Sequence, residues 1–391
     1  MSNIVALLVL AVAYYIGEFI GNKTKAWIPS VFVTAVLIMI GYWTFFPYDI
    51  VELAGLGAPL GGTLVIMLCL THMGTIISIK QLLQQWKVIL IALAGIAGMI
   101  VLVWFIASAF VEREYIVAGL PPLTGGIVAA IMMQEAATEL GLTTAATLAI
   151  AMYSVQGFVG YPITAIFLKM EGKKLLESYH KGEHTVIQEV EASVPEKPAW
   201  KIIPPIPDNY NTTALILAKM MVSAWIASKI AGLTGINSAV VALFIGIILT
   251  EVGFLDPDSL NKAKSYGFLM FTLMIFVFAG LKDSTPEILI AAIGPMAIII
   301  VLGVLGLCIA SIIVGKVLGM SWNMACAVSL TALYGFPPNY ILTMESIKAL
   351  VKNEEEEKYL TDRMLPQMIV GGFVTVTITS VIVAGYFVNL F

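Results

Sequence analysis

GLPPLTGGIVAAIMMQEAATELG, from Gly119 to Gly141, is an apolar stretch interrupted by helix breakers. Its first third holds Pro121, Pro122 and the pair Gly125–Gly126. At membrane depth such breakers are tolerated only where the freed backbone groups are buried in protein or line a wet cavity. The stretch therefore predicts a broken helix at a binding site.

The composition predicts a polytopic membrane protein. Hydrophobic residues make up 59% of 391, charged residues only 12%, and the mean hydropathy is +0.95, whereas a soluble domain is about one quarter charged. Nothing in this composition suggests nucleic-acid binding. Cys69, Cys308 and Cys326 lie far apart in apolar runs, so we expect small buried hydrophobes and no disulfide or zinc site. The first 21 residues lack a basic region, so we expect a first span and not a cleaved signal.

With about 20 residues for each membrane-spanning helix, the chain divides into two similar halves. A first repeat is predicted at 1–169, a polar cytoplasmic linker at 170–210 and a second repeat at 211–391. The predicted helices lie near 3–20, 28–46, 60–78, 88–111 and 145–168 in the first half, and near 212–231, 236–253, 265–281, 288–318 and 364–388 in the second. Each half also contains one broken segment, at 119–141 and 324–347.

The two halves match at a nearly constant offset, in the same order along the chain. The matches are IPSVFVTAVLIMIG at Ile28 with INSAVVALFIGIIL at Ile236 (offset 208), Leu123–Thr124 with Leu330–Thr331 (offset 207), and Glu135 with Glu345 (offset 210). Any one match can arise by chance, but the ordered series indicates an internal repeat.

The placement of lysine and arginine predicts how the broken segments cross the membrane. If both turn back as re-entrant hairpins, 17 of the 21 cationic residues lie on one side, three (Arg113, Lys229 and Lys282) on the other, and Lys219 lies within a span. If both cross fully, the distribution is ten against ten. Cytoplasmic loops carry the excess, so we expect hairpins. Each half then has five membrane-spanning helices. Because this number is odd, the second repeat is inverted relative to the first, and both termini lie on the outer side of the cell (inner) membrane.

Inverted repeats with broken helices are the architecture of secondary transporters. Each break leaves the next half-helix with unpaired N–H groups and a positive dipole end, which can bind an anionic group without an arginine. The carbonyls freed by the proline pairs can bind a small cation. We therefore expect a small anionic or zwitterionic solute and a small cation at the turns. The predicted substrate-binding residues are Thr124, Gly125, Gly126, Tyr334, Gly335, Pro337 and Asn339. The candidate ligands of the cation, which the resemblance described below implies to be Na⁺, are Thr124, Thr331 and Asn339. The residues predicted for ion coupling or gating are Gln134, Glu135, Thr331, Thr343 and Glu345.

Several polar residues have a structural alternative to a functional role. Glu135 and Glu345 lie nine or ten residues beyond their breaks, about 14 Å along a helix, so they belong either to the ion site or to solvated hairpin mouths. Glu139, one turn further on, is expected to be solvated. For Lys219, we expect snorkelling or an internal salt bridge in preference to contact with the substrate. For His72, we expect a hydrogen-bonded histidine in the protein core in preference to a proton relay.

Five spans and a hairpin, repeated twice, resemble the bacterial sodium/glutamate symporters and, more distantly, the sodium-coupled 2-hydroxycarboxylate carriers. The resemblance covers most of the chain and implies sodium-driven uptake of a small carboxylate or amino acid. It also implies a homodimer in which the hairpin-bearing parts move against a static scaffold. The segments that carry it are LTGG at Leu123–Gly126, GYPITAIFLK at Gly160–Lys169, YGFPP…MESI at Tyr334–Ile347 and PQMIVGGF at Pro366–Phe373.

Two other classes of function are alternatives to a symporter. The first is a cation/proton antiporter without an organic substrate, in which Glu135, Glu345 or His72 takes the proton. The second is a membrane-embedded enzyme or receptor. The sequence contains no HExxH motif, no serine or aspartyl protease pattern and no phosphate loop, so we expect no enzymatic activity and no cofactor apart from the coupling ion Na⁺.

Overall fold

A computed structural model describes residues 1–76, 85–181, 202–204, 206–207, 209–235 and 238–391. Residues 182–201 of the predicted linker and the ends of the predicted helices at 60–78 and 236–253 lie outside this part of the chain. The described residues form helices and turns and contain no strand. The α-helices, numbered in this part of the chain, are α1 (Asn3–Lys23), α2 (Ser30–Thr44), α3 (Ile50–Leu53), α4 (Leu60–Ile76, with a π-helical first turn), α5 (Trp86–Ile106), α6 (Arg113–Gly119), α7 (Ile127–Glu139), α8 (Thr143–His180), α9 (Thr213–Thr234), α10 (Ser238–Glu251), α11 (Ser259–Lys262), α12 (Tyr266–Phe278), α13 (Pro286–Leu318), α14 (Trp322–Leu330), α15 (Pro338–Lys348), α16 (Glu354–Phe373) and α17 (Ser380–Phe387).

The predicted all-α structure is confirmed for the described residues. Seven of these helical stretches are long and apolar enough to cross a membrane, which is consistent with a membrane protein. Helix α2 is shorter than the predicted 28–46. It has 15 residues, about 22 Å, because Pro29 precedes its first turn and the chain turns before Pro47. The seven stretches are Asn3–Lys23, Trp86–Ala109, Thr143–His180, Thr213–Thr234, Tyr266–Asp283, Ala292–Leu318 and Glu354–Leu390.

Helix α8 continues well beyond its predicted end at 168. The residues that follow, MEGKKLLESYH, are mostly strong helix formers and include no proline, so the helix runs on to His180. Buried groups hold this extension. Leu176 packs inward, and the Glu171 carboxylate accepts a 2.5 Å hydrogen bond from the Ser321 hydroxyl at the start of α14.

The chain forms two compact units, and each takes segments from both halves of the sequence. Unit 1 consists of Met1–Leu8, Asp49–Gln84 and His184–Ala279. Unit 2 consists of Val9–Tyr48, Gln85–Glu183 and Gly280–Phe391. Both broken segments therefore belong to unit 2.

In unit 1, α4 and α10 pack through glycine, since a Cβ on Gly74 would lie 2.7 Å from the backbone nitrogen of Ile247. The fully buried His72 accepts the Leu260 N–H at Nδ1 (3.2 Å), as expected of a core histidine. Its Nε2 lies 3.6 Å from an Asp258 carboxylate oxygen.

The internal salt bridge expected for Lys219 is also present in unit 1. Its Nζ lies 3.3 Å from an Asp256 carboxylate oxygen, and both side chains are largely buried. The same carboxylate accepts a hydrogen bond from the Asn211 amide. This pairing accounts for a lysine in the middle of an apolar helix.

Unit 2 is centred on α5 and α13, which approach each other through glycine. A Cβ added to either Gly98 or Gly306 would lie 2.6 Å from the carbonyl oxygen of the other. Small residues allow two helix backbones to touch in this way. The long helix α8 packs beside both broken segments and so connects them.

Candidate functional site

The first broken segment consists of α6, a 3-10 turn at Pro122–Thr124 and α7. Pro121 and Pro122 have no N–H, so the carbonyls of Val117 and Ala118 cannot receive the usual bond from four residues ahead. Gly125, with φ of +86°, then reverses the chain in a conformation that favours glycine.

The second broken segment has the same order of elements. Helix α14 passes into a 3-10 turn at Thr331–Leu333, Gly335 has φ of +61°, and α15 begins at Pro338. Pro337 and Pro338 open α15 at positions where an N–H has no helical partner, and the carbonyls of Leu333 and Tyr334 lie at the end of the 3-10 turn, outside any α-helix. Helix breaks were predicted at both places, and both are present.

The two turns contact each other in the interior of unit 2. A Cβ on Gly125 would overlap the carbonyl oxygen of Ala332, so the backbones meet directly. Both turns also contact the chain between α16 and α17, where a Cβ on Gly335 would lie 2.8 Å from a methyl of Val376. Thr124–Gly126 and Thr331–Gly335, predicted from distant parts of the sequence, are therefore brought together.

The element that receives the two turns is a π-helical turn at Val374–Thr379. Threonine hydroxyls bond back along the helix here. Thr375 donates to the Gly371 carbonyl (3.0 Å), and Thr379 donates to the Val374 carbonyl five residues earlier (2.6 Å). This turn was not predicted, although the run VTVTIT at 374–379 consists entirely of β-branched residues, which are less suited to an α-helix.

The two threonines predicted as sodium ligands are fully buried and similarly bonded. Thr124 donates its hydroxyl hydrogen to the Pro121 carbonyl and Thr331 donates to the Val328 carbonyl, each at 2.6 Å. A hydroxyl that donates its hydrogen keeps its oxygen lone pairs. Both oxygens therefore keep the capacity to coordinate a cation.

Asn339 and Thr343 form a buried polar face on α15. The Asn339 amide donates to the Met368 carbonyl (3.0 Å), and its oxygen accepts the Tyr340 N–H (2.7 Å). Thr343 donates to the Asn339 carbonyl (2.6 Å). The Asn339 oxygen thus has one lone pair left for a ligand. Of the other predicted residues, Gly126 and Pro337 are buried and Tyr334 is half-buried.

The predicted pair Glu135 and Glu345 occupies two different environments. Glu345 is half-buried, and one of its carboxylate oxygens accepts the Ser30 N–H (3.1 Å) at the start of α2. Beside it lies a cleft of about 210 Å³ whose lining includes Lys25 and Lys348. Glu135 is exposed on α7, as is Glu139, and Gln134 is half-buried. Neither glutamate lies in the contact between the turns.

Gln156 is a residue that the sequence analysis missed. It lies on α8, its side chain is 1% exposed, and its amide oxygen has no hydrogen-bond partner among the described residues. No pattern in MYSVQGFVGYP distinguishes this glutamine from one that faces solvent or lipid. Only the position of α8 beside both breaks reveals it.

No protein-family model matches the sequence, and no curated protein matches it at a significant level. Within the described residues, no group of three or more His, Cys, Asp or Glu side chains is arranged to hold a metal ion. The oxygens at the turns are instead backbone carbonyls, hydroxyls and amides, all of them uncharged.

Proposed function

We propose that the protein is a secondary transporter that couples Na⁺ to the symport of a small carboxylate or amino acid by alternating access. The observation that carries this proposal is the direct contact between the two helix breaks. The contact lies in a helical protein with seven stretches that are long and apolar enough to cross a membrane. Buried helix breaks leave backbone groups without helical partners, and a bound ion or solute can satisfy them.

The two kinds of ligand suit the two kinds of backbone group. The N-terminus of α7 has no side-chain cap, so its N–H groups and dipole favour an anionic group such as a carboxylate. The backbone carbonyls at each break, with the hydroxyl oxygens of Thr124 and Thr331, suit a small cation. This division is the chemical basis of the proposed symport.

We also propose that the two halves are inverted repeats with re-entrant hairpins. Two contacts support this. Gly98 meets Gly306, 208 residues later, and Gly125 meets Ala332, 207 residues later; both offsets equal those of the sequence matches. Residues near a two-fold axis contact their own counterparts, so contacts between equivalent residues are what such an axis requires.

The surroundings of the two breaks support hairpins that enter the membrane from opposite sides. At the start of the first break, Arg113 donates to the Leu390 carbonyl (3.4 Å), near the end of the last helix. Past the second break, the Glu345 carboxylate accepts a hydrogen bond from the backbone N–H of Ser30, near the turn between α1 and α2. With the lysine distribution, this favours an inner-membrane protein whose termini lie outside. A homodimer is proposed from the resemblance to the symporters alone.

The test is the thermal stability of the purified protein in sodium and in choline buffers, with a panel of small carboxylates and amino acids. A ligand that binds only the folded state stabilises it by about 2.7 kcal/mol at a hundredfold excess over its Kd. We expect sodium to stabilise the protein and one solute to add stability only when sodium is present. An absence of both effects would refute the symport proposal.

Glu345 favours the second candidate, a cation/proton antiporter without an organic substrate. A half-buried carboxylate between helices is a suitable group for proton binding. In liposomes that contain no solute, sodium-driven proton movement would support this candidate. Its absence, with solute-dependent stabilisation in sodium, would eliminate it.

A further inference from the structure

Gln156 occupies the stretch of α8 that lies between the two helix breaks. One turn before it, Met152 packs against the first break, since its methyl would lie 3.2 Å from a Cβ on Gly119. One turn after it, a Cβ on Gly160 would lie 2.9 Å from side-chain atoms of Leu333 and Tyr334 in the second break.

Residues four apart lie on the same face of a helix, about 6 Å apart along its axis. Gln156 therefore shares the face that touches both breaks, and lies about 6 Å from each contact. This face continues to Thr164, which accepts a 2.9 Å hydrogen bond from the Tyr334 hydroxyl.

The Gln156 amide oxygen is the unusual feature of this face. The side chain is 1% exposed, yet this oxygen has no hydrogen-bond partner among the described residues. A buried polar atom without a partner costs about 1–3 kcal/mol, so such atoms are rare in folded proteins. An oxygen in this state, on the helix face that touches both breaks, is suited to a bound cation.

We propose that Gln156 supplies an oxygen ligand to the sodium ion, in addition to the carbonyls and hydroxyls of the two turns. This inference rests on the proposed sodium coupling. The oxygens in question are all uncharged, whereas protein sites for Ca²⁺ or Mg²⁺ ordinarily include carboxylates. The site therefore favours a monovalent over a divalent cation.

The experiment is a sodium titration of thermal stability, with choline chloride keeping the ionic strength constant. It compares the wild type with three variants. Gln156→Leu removes the oxygen at similar size, and Gln156→Glu keeps an oxygen at the same position. Gln367→Leu is the control, because Gln367 is also a glutamine whose amide oxygen has no hydrogen-bond partner among the described residues, and its amide nitrogen donates to the Arg363 carbonyl within α16.

We expect Gln156→Leu to fold, since it removes an unpaired buried oxygen, and to need about tenfold more sodium for half-maximal stabilisation. Gln156→Glu should retain a sodium response, and loss of that response in both variants would contradict an oxygen ligand at this position. Gln367→Leu should match the wild type. A wild-type sodium midpoint in Gln156→Leu would overturn the role of Gln156 and leave the symport proposal standing. A wild type that ignores sodium would overturn the symport proposal itself.

Discussion

Replacing Gly125 with alanine should push the two broken segments apart. The added methyl would meet the Ala332 carbonyl oxygen and a methyl of Val376 at 2.8 Å. Neither neighbour can move easily, because one is backbone and the other is held in the π-helical turn. The substitution therefore tests whether contact between the turns holds unit 2 together.

Two effects contribute to the expected loss of stability. Alanine at φ of +86° is strained by about 1–2 kcal/mol. Overpacking at a buried contact adds about 1–3 kcal/mol. Gly125→Ala should therefore destabilise the protein by about 2–5 kcal/mol.

The chain offers a matched control in Gly141, which has φ of +74° and no atom within 4 Å of an added Cβ. Gly141→Ala carries the backbone strain without the collision, so it should cost only about 1–2 kcal/mol. The difference between the two variants isolates the contact between the turns. Thermal unfolding of both proteins in one detergent and one buffer measures that difference.

Under the proposed sodium coupling, the effect of sodium on thermal stability separates local strain from loss of the site. Gly141→Ala should keep the wild-type sodium midpoint, whereas Gly125→Ala should lose sodium stabilisation with its overall stability. Equal unfolding temperatures for the two variants would refute the reasoning, since they would show that the turns do not depend on close approach at Gly125.

Three further contacts can be tested by substitution and thermal unfolding. Glu345→Ala should destabilise the protein by about 1 kcal/mol, because the backbone amide at the start of α2 loses its acceptor. Glu135 is exposed, so Glu135→Ala should leave the stability unchanged. Equal losses of stability in the two variants would contradict the different environments of the two glutamates. His72→Phe should cost about 1–3 kcal/mol, since the backbone amide bound by Nδ1 is left unpaired in the core, and a wild-type midpoint would argue against that bond. Lys219→Met and Asp256→Asn should each destabilise, and their combination should cost less than the sum of the two; additive losses would mean that the ion pair contributes nothing.

The helix breaks could be predicted from sequence because their cause is local. Pro121 and Pro122 remove donors, and Gly125 supplies a positive φ, whatever the surroundings. The extension of α8 from its predicted end at 168 to His180 was not predicted, because its cause is partly distant in the chain. A change from apolar to charged residues after Lys169 resembles a linker, yet these residues are helix formers, and a distant contact from Ser321 to Glu171 helps to hold the extension.

The difference between Glu135 and Glu345 could not be predicted, because a sequence offset records equivalence in the chain and not in surroundings. An amide on α2 reaches only Glu345, and α2 lies more than 300 residues away along the chain. Gln156 illustrates the same limit. Its importance arises from the two breaks that pack against the same face of α8, and neither break is near it in sequence.

The contact between Gly98 and Gly306 also bears on how the protein is made. About 200 residues separate the two glycines, and at about 5–20 residues per second their synthesis takes about 10–40 s. During that interval the glycine face of α5 has no partner helix and must be covered by lipid or by the insertion machinery. The centre of unit 2 closes only when α13 arrives, so the first half of the chain waits in the membrane as an incomplete structure.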